Sequence, residues 1–159
     1  LSEQKNKTFL YTCGGIVKKD LLEIKNAKFV HIHPGIVPEV KGSDGFWWSL
    51  LTRGVTGASC FFMNSGIDTG DVILKKNYKL PKMHLSQIYS EKTIFTGSIL
   101  AIDPHIRSKL LIDVIRKYEI DVQNAKIEKQ ISGSGNDFYH MHSELKKKVA
   151  KDKLFTSYE

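Results

Sequence analysis

The chain has 159 residues, a formal net charge of +7, 41% hydrophobic and 26% charged residues. Those proportions are ordinary for one soluble globular domain with a substantial core. No apolar run approaches the roughly 18 residues that span a bilayer. The polar N-terminus shows no signal peptide, so a cytoplasmic location is expected and no membrane partner.

Thr8 to Thr12 reads as a short buried strand, broken by Gly14 and Gly15. Lys18 to Ile24 reads as a short helix with Leu21, Leu22 and Ile24 available to face a sheet. Lys28 to His33 is the second strand. Side chains alternate along a strand, so His31 and His33 share one face while Val30 and Ile32 share the other. Pro34 ends that ladder and opens a long loop to Gly45, an irregular segment of the kind that carries function on a rigid scaffold. The pair of imidazoles therefore emerges at the C-terminal end of a buried strand, where open α/β sheets place their ligands.

Asp44 or Ser43 is expected to cap a helix from Phe46 to about Arg53, ended by Gly54 and Gly57. Trp47 and Trp48 point about 100° apart on such a helix, which places one in the core and the other at a rim or interface. Ala58 to Met63 forms a strand, the Gly-Ile-Asp-Thr-Gly-Asp loop follows, and Val72 to Tyr78 forms another strand with one exposed face. Leu85 to Tyr118 is mainly helical, with a break near Asp103 and Pro104. Ser132 to Asp137 is a loop signal. Phe138 to Lys153 reads as a terminal helix capped at Asp137, with His140 and His142 on its surface. The two cysteines, Cys13 and Cys60, sit in apolar strand-like runs and read as buried thiols rather than a disulfide.

Lysine carries most of the charge excess, in Lys146 to Lys148, Lys151, Lys153, Lys75 and Lys76. No aromatic platform or arginine-rich face accompanies them, as single-strand binders require, so a nucleic-acid partner is not expected. The excess charge suits an anionic small-molecule substrate.

Two segments resemble a known family. HIHPGIVPEVKGSDG is similar to the His-Pro-Ser-Leu-Leu-Pro segment of the folate-dependent formyltransferases, and SGIDTGDVI to their Asp-x-Gly motif. The resemblance runs from about Phe9 to Leu80, roughly half the chain. It implies an α/β fold, the C-terminal part of a Rossmann-like formyltransferase domain with a mainly parallel sheet, plus a helical C-terminal extension. Residues 1–120 would be the catalytic core and 121–159 the extension. It further implies that most of the family's N-terminal half, with the acceptor's phosphate-binding loop, lies outside this chain. A truncated parallel sheet exposes an apolar edge, which admits a homo-oligomer.

The implied reaction moves a formyl group from 10-formyltetrahydrofolate to a primary amine of a small acceptor, a nucleotide-linked amino sugar by preference. Such transfer needs a stabilised oxyanion and managed protons. By resemblance His33 takes the oxyanion role and Asp68 the carboxylate role. Gly14, Gly15, Ile16 and Val17, with Asn64, Ser65, Gly66 and Ile67, would line the folate slot. The family has asparagine where His31 stands and serine where Gly35 stands. A neutral imidazole has a single proton to donate to the oxyanion and is titratable near neutrality, so more pH sensitivity is expected than with an amide.

Rival readings use the same residues. A 10-formyltetrahydrofolate deformylase would substitute water for the amine. A metal-dependent hydrolase would use His31, His33 and Asp68 as ligands, although no HxxxH or CxxC accompanies them and the formyl-transfer reading needs no metal. A non-catalytic formyltransferase-fold module is the third.

Overall fold

The computed structural model describes residues 7–12, 15–80, 83–84, 96–119 and 122–156. Cys13, Gly14 and the expected helical stretch 85–95 lie outside the described residues.

Four strands make the main sheet in the order β1-β2-β4-β5. They are β1 (Lys7–Tyr11), β2 (Ala27–His33), β4 (Thr56–Phe62) and β5 (Val72–Tyr78). The fold is α/β, and parallel pairing joins β1 to β2. From β2 onward the sheet departs from the mainly parallel expectation, because β2–β4 and β4–β5 are antiparallel. Hydrophobic periodicity reports which face a residue takes and not the direction of its neighbour. Two short parallel ladders complete the strands. One joins β3 (Lys41–Gly42) to β7 (Asp137–Phe138), and the other β6 (Met83–His84) to β8 (Phe155–Thr156).

Alternation along the strands divides the sheet into two unlike faces. Val30 and Ile32 of β2, Ala58 and Cys60 of β4 and Ile73 of β5 are buried on one face. There they meet helix α3 (Asp103–Tyr118), whose Ile106, Leu110 and Val114 recur every four residues and form one buried stripe. Phe46, Trp47 and Leu50 of α2 (Gly45–Arg53) and Val149, Ala150 and Leu154 of α4 (Ser143–Leu154) belong to the same core. The segment after residue 121 thus shares the core with the sheet. The opposite face carries His31, His33 and Phe61, and its small buried cluster is Val37, Phe61 and Val72. Cys60 is a free thiol with no exposed surface, and burial pushes its pKa up to about 12.

Three helix expectations change. The first helix, α1, is a single turn, Lys19–Leu22, that buries no residue; Leu21 is exposed and Leu22 and Ile24 are half-buried. One turn is too short to lay an apolar stripe on a sheet. Asp44 does precede α2, but at φ 57° its side chain makes no capping bond. Its carboxylate instead accepts from the Met141 amide (2.8 Å) and pairs with Lys146 (2.7 Å). The terminal helix begins at Ser143, capped by His142, whose Nδ1 accepts from the Glu144 amide. Asp137 and Phe138 are strand residues, drawn to β3 by backbone pairing, by the Asp137–Lys41 ion pair at 3.2 Å and by Phe138 stacking on Trp48. Trp47 is the core tryptophan; Trp48 lies half-buried and donates through Nε1 to the Tyr139 carbonyl. Near Asp103 the helix changes from a π-helical turn (Ser98–Ile102) to α3, with Pro104 in the first turn, where a missing amide hydrogen costs nothing.

Candidate active site

Strand β2 delivers His31 and His33 to one face, their ring centroids 6.4 Å apart and both against Phe61 of β4. The loop after β2 then folds back over His33. The Val40 amide closes it by donating to the Ile36 carbonyl, and Ser59 of β4 pins it by donating to the Gly35 carbonyl and accepting from the Val37 amide. His33 is 2% exposed as a result.

Asp68 reaches the pair from the loop between β4 and β5. Its Oδ2 lies 3.3 Å from Nδ1 of His33 and accepts the Gly42 amide at 2.7 Å. Its backbone is left-handed, at φ 53°, a conformation aspartate tolerates better than most residues. Gln130 anchors the loop by donating to the carbonyls of Asp68 (3.0 Å) and Gly70 (2.7 Å). Gly42 (φ 88°), too, has a left-handed backbone, and a Cβ there would collide with the Phe138 carbonyl. The β3–β7 ladder therefore sets the amide that holds Asp68.

The tautomers follow from the acceptors. A carbonyl oxygen can only accept, so the ring nitrogen facing it carries the hydrogen. Nε2 of His33 is 3.0 Å from the Val40 carbonyl, which leaves Nδ1 with its lone pair toward Asp68. Nδ1 of His31 is 2.9 Å from the Tyr11 carbonyl, which leaves Nε2 bare. Neutral His31 has already used its one proton, so in this tautomer it cannot donate to an oxyanion as its asparagine-like placement suggested. It offers a base instead.

Burial lowers the His33 pKa from its ordinary 6.5, against the opposing pull of Asp68. The unfolded chain thus binds the proton at a pH where the folded chain does not, and stability falls as pH drops through about 6.5. In chelated buffer the wild-type melting temperature should decline more steeply over that range than that of His33→Gln. Parallel profiles would contradict the buried neutral imidazole.

Of the other expected site residues, Gly15 and Ile16 are exposed and Val17 is half-buried in the segment after β1. Asn64, Ser65, Gly66 and Ile67 form an exposed turn in which Asn64 Oδ1 accepts from the Gly66 amide and the Thr69 hydroxyl. The structure brings together His31, His33 and Asp68. Sequence reasoning missed Val40, Gly42, Ser59 and Gln130, which hold the triad through backbone groups or side chains distant in sequence. The GSDG turn was the one local signal pointing near Gly42.

Residues 4–102 match the family model for formyl transferase, and the chain belongs to the formyl transferase family. Methionyl-tRNA formyltransferase of Ruminiclostridium cellulolyticum is 28% identical over 89 residues, covering 55% of this chain and 28% of that protein. The fold is similar to that of the formyltransferase PseJ from Anoxybacillus kamchatkensis, solved with UDP-4,6-dideoxy-4-formamido-L-AltNAc and tetrahydrofolate. That similarity has a TM-score of 0.55 at 20% identity and covers 87% of this chain and 66% of that one. A sugar N-formyltransferase from Shewanella sp FDAARGOS_354 is similar at TM-score 0.57 and 18% identity, over 90% of this chain and 58% of the other. The chain spans under a third of the length of the curated relatives it matches. Among the described residues no helix is long and apolar enough to cross a membrane.

Proposed function

We propose that this chain carries formyl-transfer chemistry, moving the formyl group of 10-formyltetrahydrofolate to a primary amine of a small acceptor such as a nucleotide-linked amino sugar. The observation that carries the reading is the buried His33–Asp68 contact beside His31, within the segment that matches the family. The amine attacks the formyl carbon, the bond from that carbon to the folate nitrogen breaks, and a proton passes from the amine to the departing nitrogen. His33 stabilises the oxyanion by donation from its ring, and Asp68, in contact with that ring, helps carry the proton to the departing nitrogen. His31 Nε2, bare in the neutral ring, takes the first proton from the amine. The exposed 64–67 turn, with Ile67 60% exposed, offers backbone groups and an apolar edge to a flat heterocycle.

Titration of the chelated chain with a stable 10-formyltetrahydrofolate analogue tests the reading. Saturable binding that weakens in His33→Ala and Asp68→Ala is expected; a folded chain that binds none overturns it. Substituting His31 separates its role from that of His33. His31→Ala is expected to lower transfer by about a hundredfold, the worth of a positioned base. His31→Asn exchanges that base for the family's amide donor, so it should retain transfer through oxyanion stabilisation. An inactive His31→Asn protein would argue against the equivalence.

A second acceptor class has an observation in its favour, since the curated relatives at 28–32% identity are methionyl-tRNA formyltransferases. Competing amino-sugar nucleotides against methionyl-tRNA in one assay decides between them.

A further inference from the structure

We propose that His31, His33 and Asp68 form a binding site for a divalent transition-metal ion of the zinc and cobalt class. Each residue brings one ligand atom to within 4.8 Å of the others. The hydrogen bonds around them have already sorted the donors. Nδ1 of His31 is spent on the Tyr11 carbonyl and Nε2 of His33 on the Val40 carbonyl. What remains is Nε2 of His31, Nδ1 of His33 and the Asp68 carboxylate, all lone-pair donors. Metal-bound histidines characteristically pair their second nitrogen with a backbone carbonyl in this way, which sets the tautomer and aims the ring.

The spacing of the fixed pair carries the argument further. Two ligands bound to one tetrahedral zinc at about 2.0–2.1 Å lie roughly 3.3 Å apart. Nδ1 of His33 and Oδ2 of Asp68 are 3.3 Å apart. As a contact between a lone pair and a carboxylate that spacing is unfavourable, and it calls for a third body between them, a proton or a cation. His31, half-buried at the rim, brings the third ligand atom to within 4.8 Å of the other two. Two imidazoles and one carboxylate match the nitrogen and oxygen preference of zinc and cobalt, and three protein ligands leave a fourth position for water.

Gly35 makes the arrangement sterically available. A Cβ at that position would stand 2.8 Å from Nε2 of His33 and 2.9 Å from the Val40 oxygen, inside the hydrogen bond that turns Nδ1 toward Asp68.

Cobalt(II) is the probe. The chelated 159-residue chain is titrated with Co2+ and followed by visible absorption, then Zn2+ is added in competition. One equivalent of Co2+ with the intense absorption of a tetrahedral nitrogen–oxygen site is expected, displaced by one equivalent of Zn2+. His31→Asn and Asp68→Asn should each weaken binding by at least about a hundredfold, since losing even an outer partner costs 10–100-fold. His140→Asn with His142→Asn removes two exposed histidines outside the triad and should leave the affinity unchanged. Absence of saturable binding, or equal binding by both triad variants, overturns the proposal; circular dichroism of each chelated variant confirms that the fold persists. Folate-analogue binding by the chelated wild type is scored separately, so failure of the metal site and failure of the formyl-transfer reading are distinct results.

Discussion

Formyl transfer by His33→Ala is expected to fall by about three orders of magnitude, and by Asp68→Asn nearly as far. The two losses have one origin. A positioned oxyanion donor contributes about 10²–10³ in rate, and a positioned acid or base about 10²–10⁴. In this site both duties run through the 3.3 Å contact between Nδ1 and Oδ2. The double variant should therefore be little worse than either single one, as groups that act as a unit are strongly non-additive. Asparagine is the informative replacement at 68. It tolerates the left-handed backbone, and its Oδ1 can still accept the Gly42 amide. The loop and the imidazole stay in place, but nothing remains to take up a proton. Steady-state rates with circular dichroism of each variant check this. A folded Asp68→Asn protein with near wild-type transfer would remove Asp68 from the mechanism.

Strand alternation made His31 and His33 legible as a pair, and the bounds of β5 were legible to the residue. Both depend on side chains close in sequence, where periodicity and punctuation by proline and glycine operate. Pairing direction was not legible. The stretch from Pro34 to Val55 is long enough for a parallel crossover, yet β4 returns antiparallel to β2. Asp137 misled in a related way. An aspartate before a lysine-rich amphipathic stretch is a sound cap signal, but the ion pair with Lys41 and the ladder with β3 claim it for a strand.

The site divides along the same line. Its titratable side chains could be named from motif and spacing. Their protonation could not, because the groups that decide it are the carbonyls of Tyr11 and Val40 and the amide of Gly42. Backbone groups leave no residue-type signature, and they arrive only through tertiary closure. The reversal of His31 from donor to acceptor is the functional result of one such carbonyl.

Gly35→Ala and Gly45→Ala are each expected to destabilise the chain by about 1–3 kcal/mol, the range for overpacking a dense interior. Both glycines wall the same atom. A Cβ on Gly35 would lie 2.8 Å from Nε2 of His33, and one on Gly45 would lie 3.0 Å from it and 2.6 Å from the Pro34 carbonyl. Neither obstacle is the far end of a flexible side chain. His33 is buried between β2 and its own loop, and the Pro34 and Val40 oxygens belong to the backbone. Relief has to come from parting the Nε2–Val40 bond, and the carbonyl this strands is the origin of that cost. For a domain of this size the melting temperature should drop by roughly 2–12 °C. Gly97 supplies the control. A Cβ there meets nothing within 4 Å and its helical backbone accepts alanine, so Gly97→Ala should be neutral or stabilising by up to about 1 kcal/mol. If all three variants melt together, His33 is not held as closely as its surroundings indicate. If only the first two fall, and transfer falls with them, the glycines of the HPG and DG turns are there to seat the imidazole.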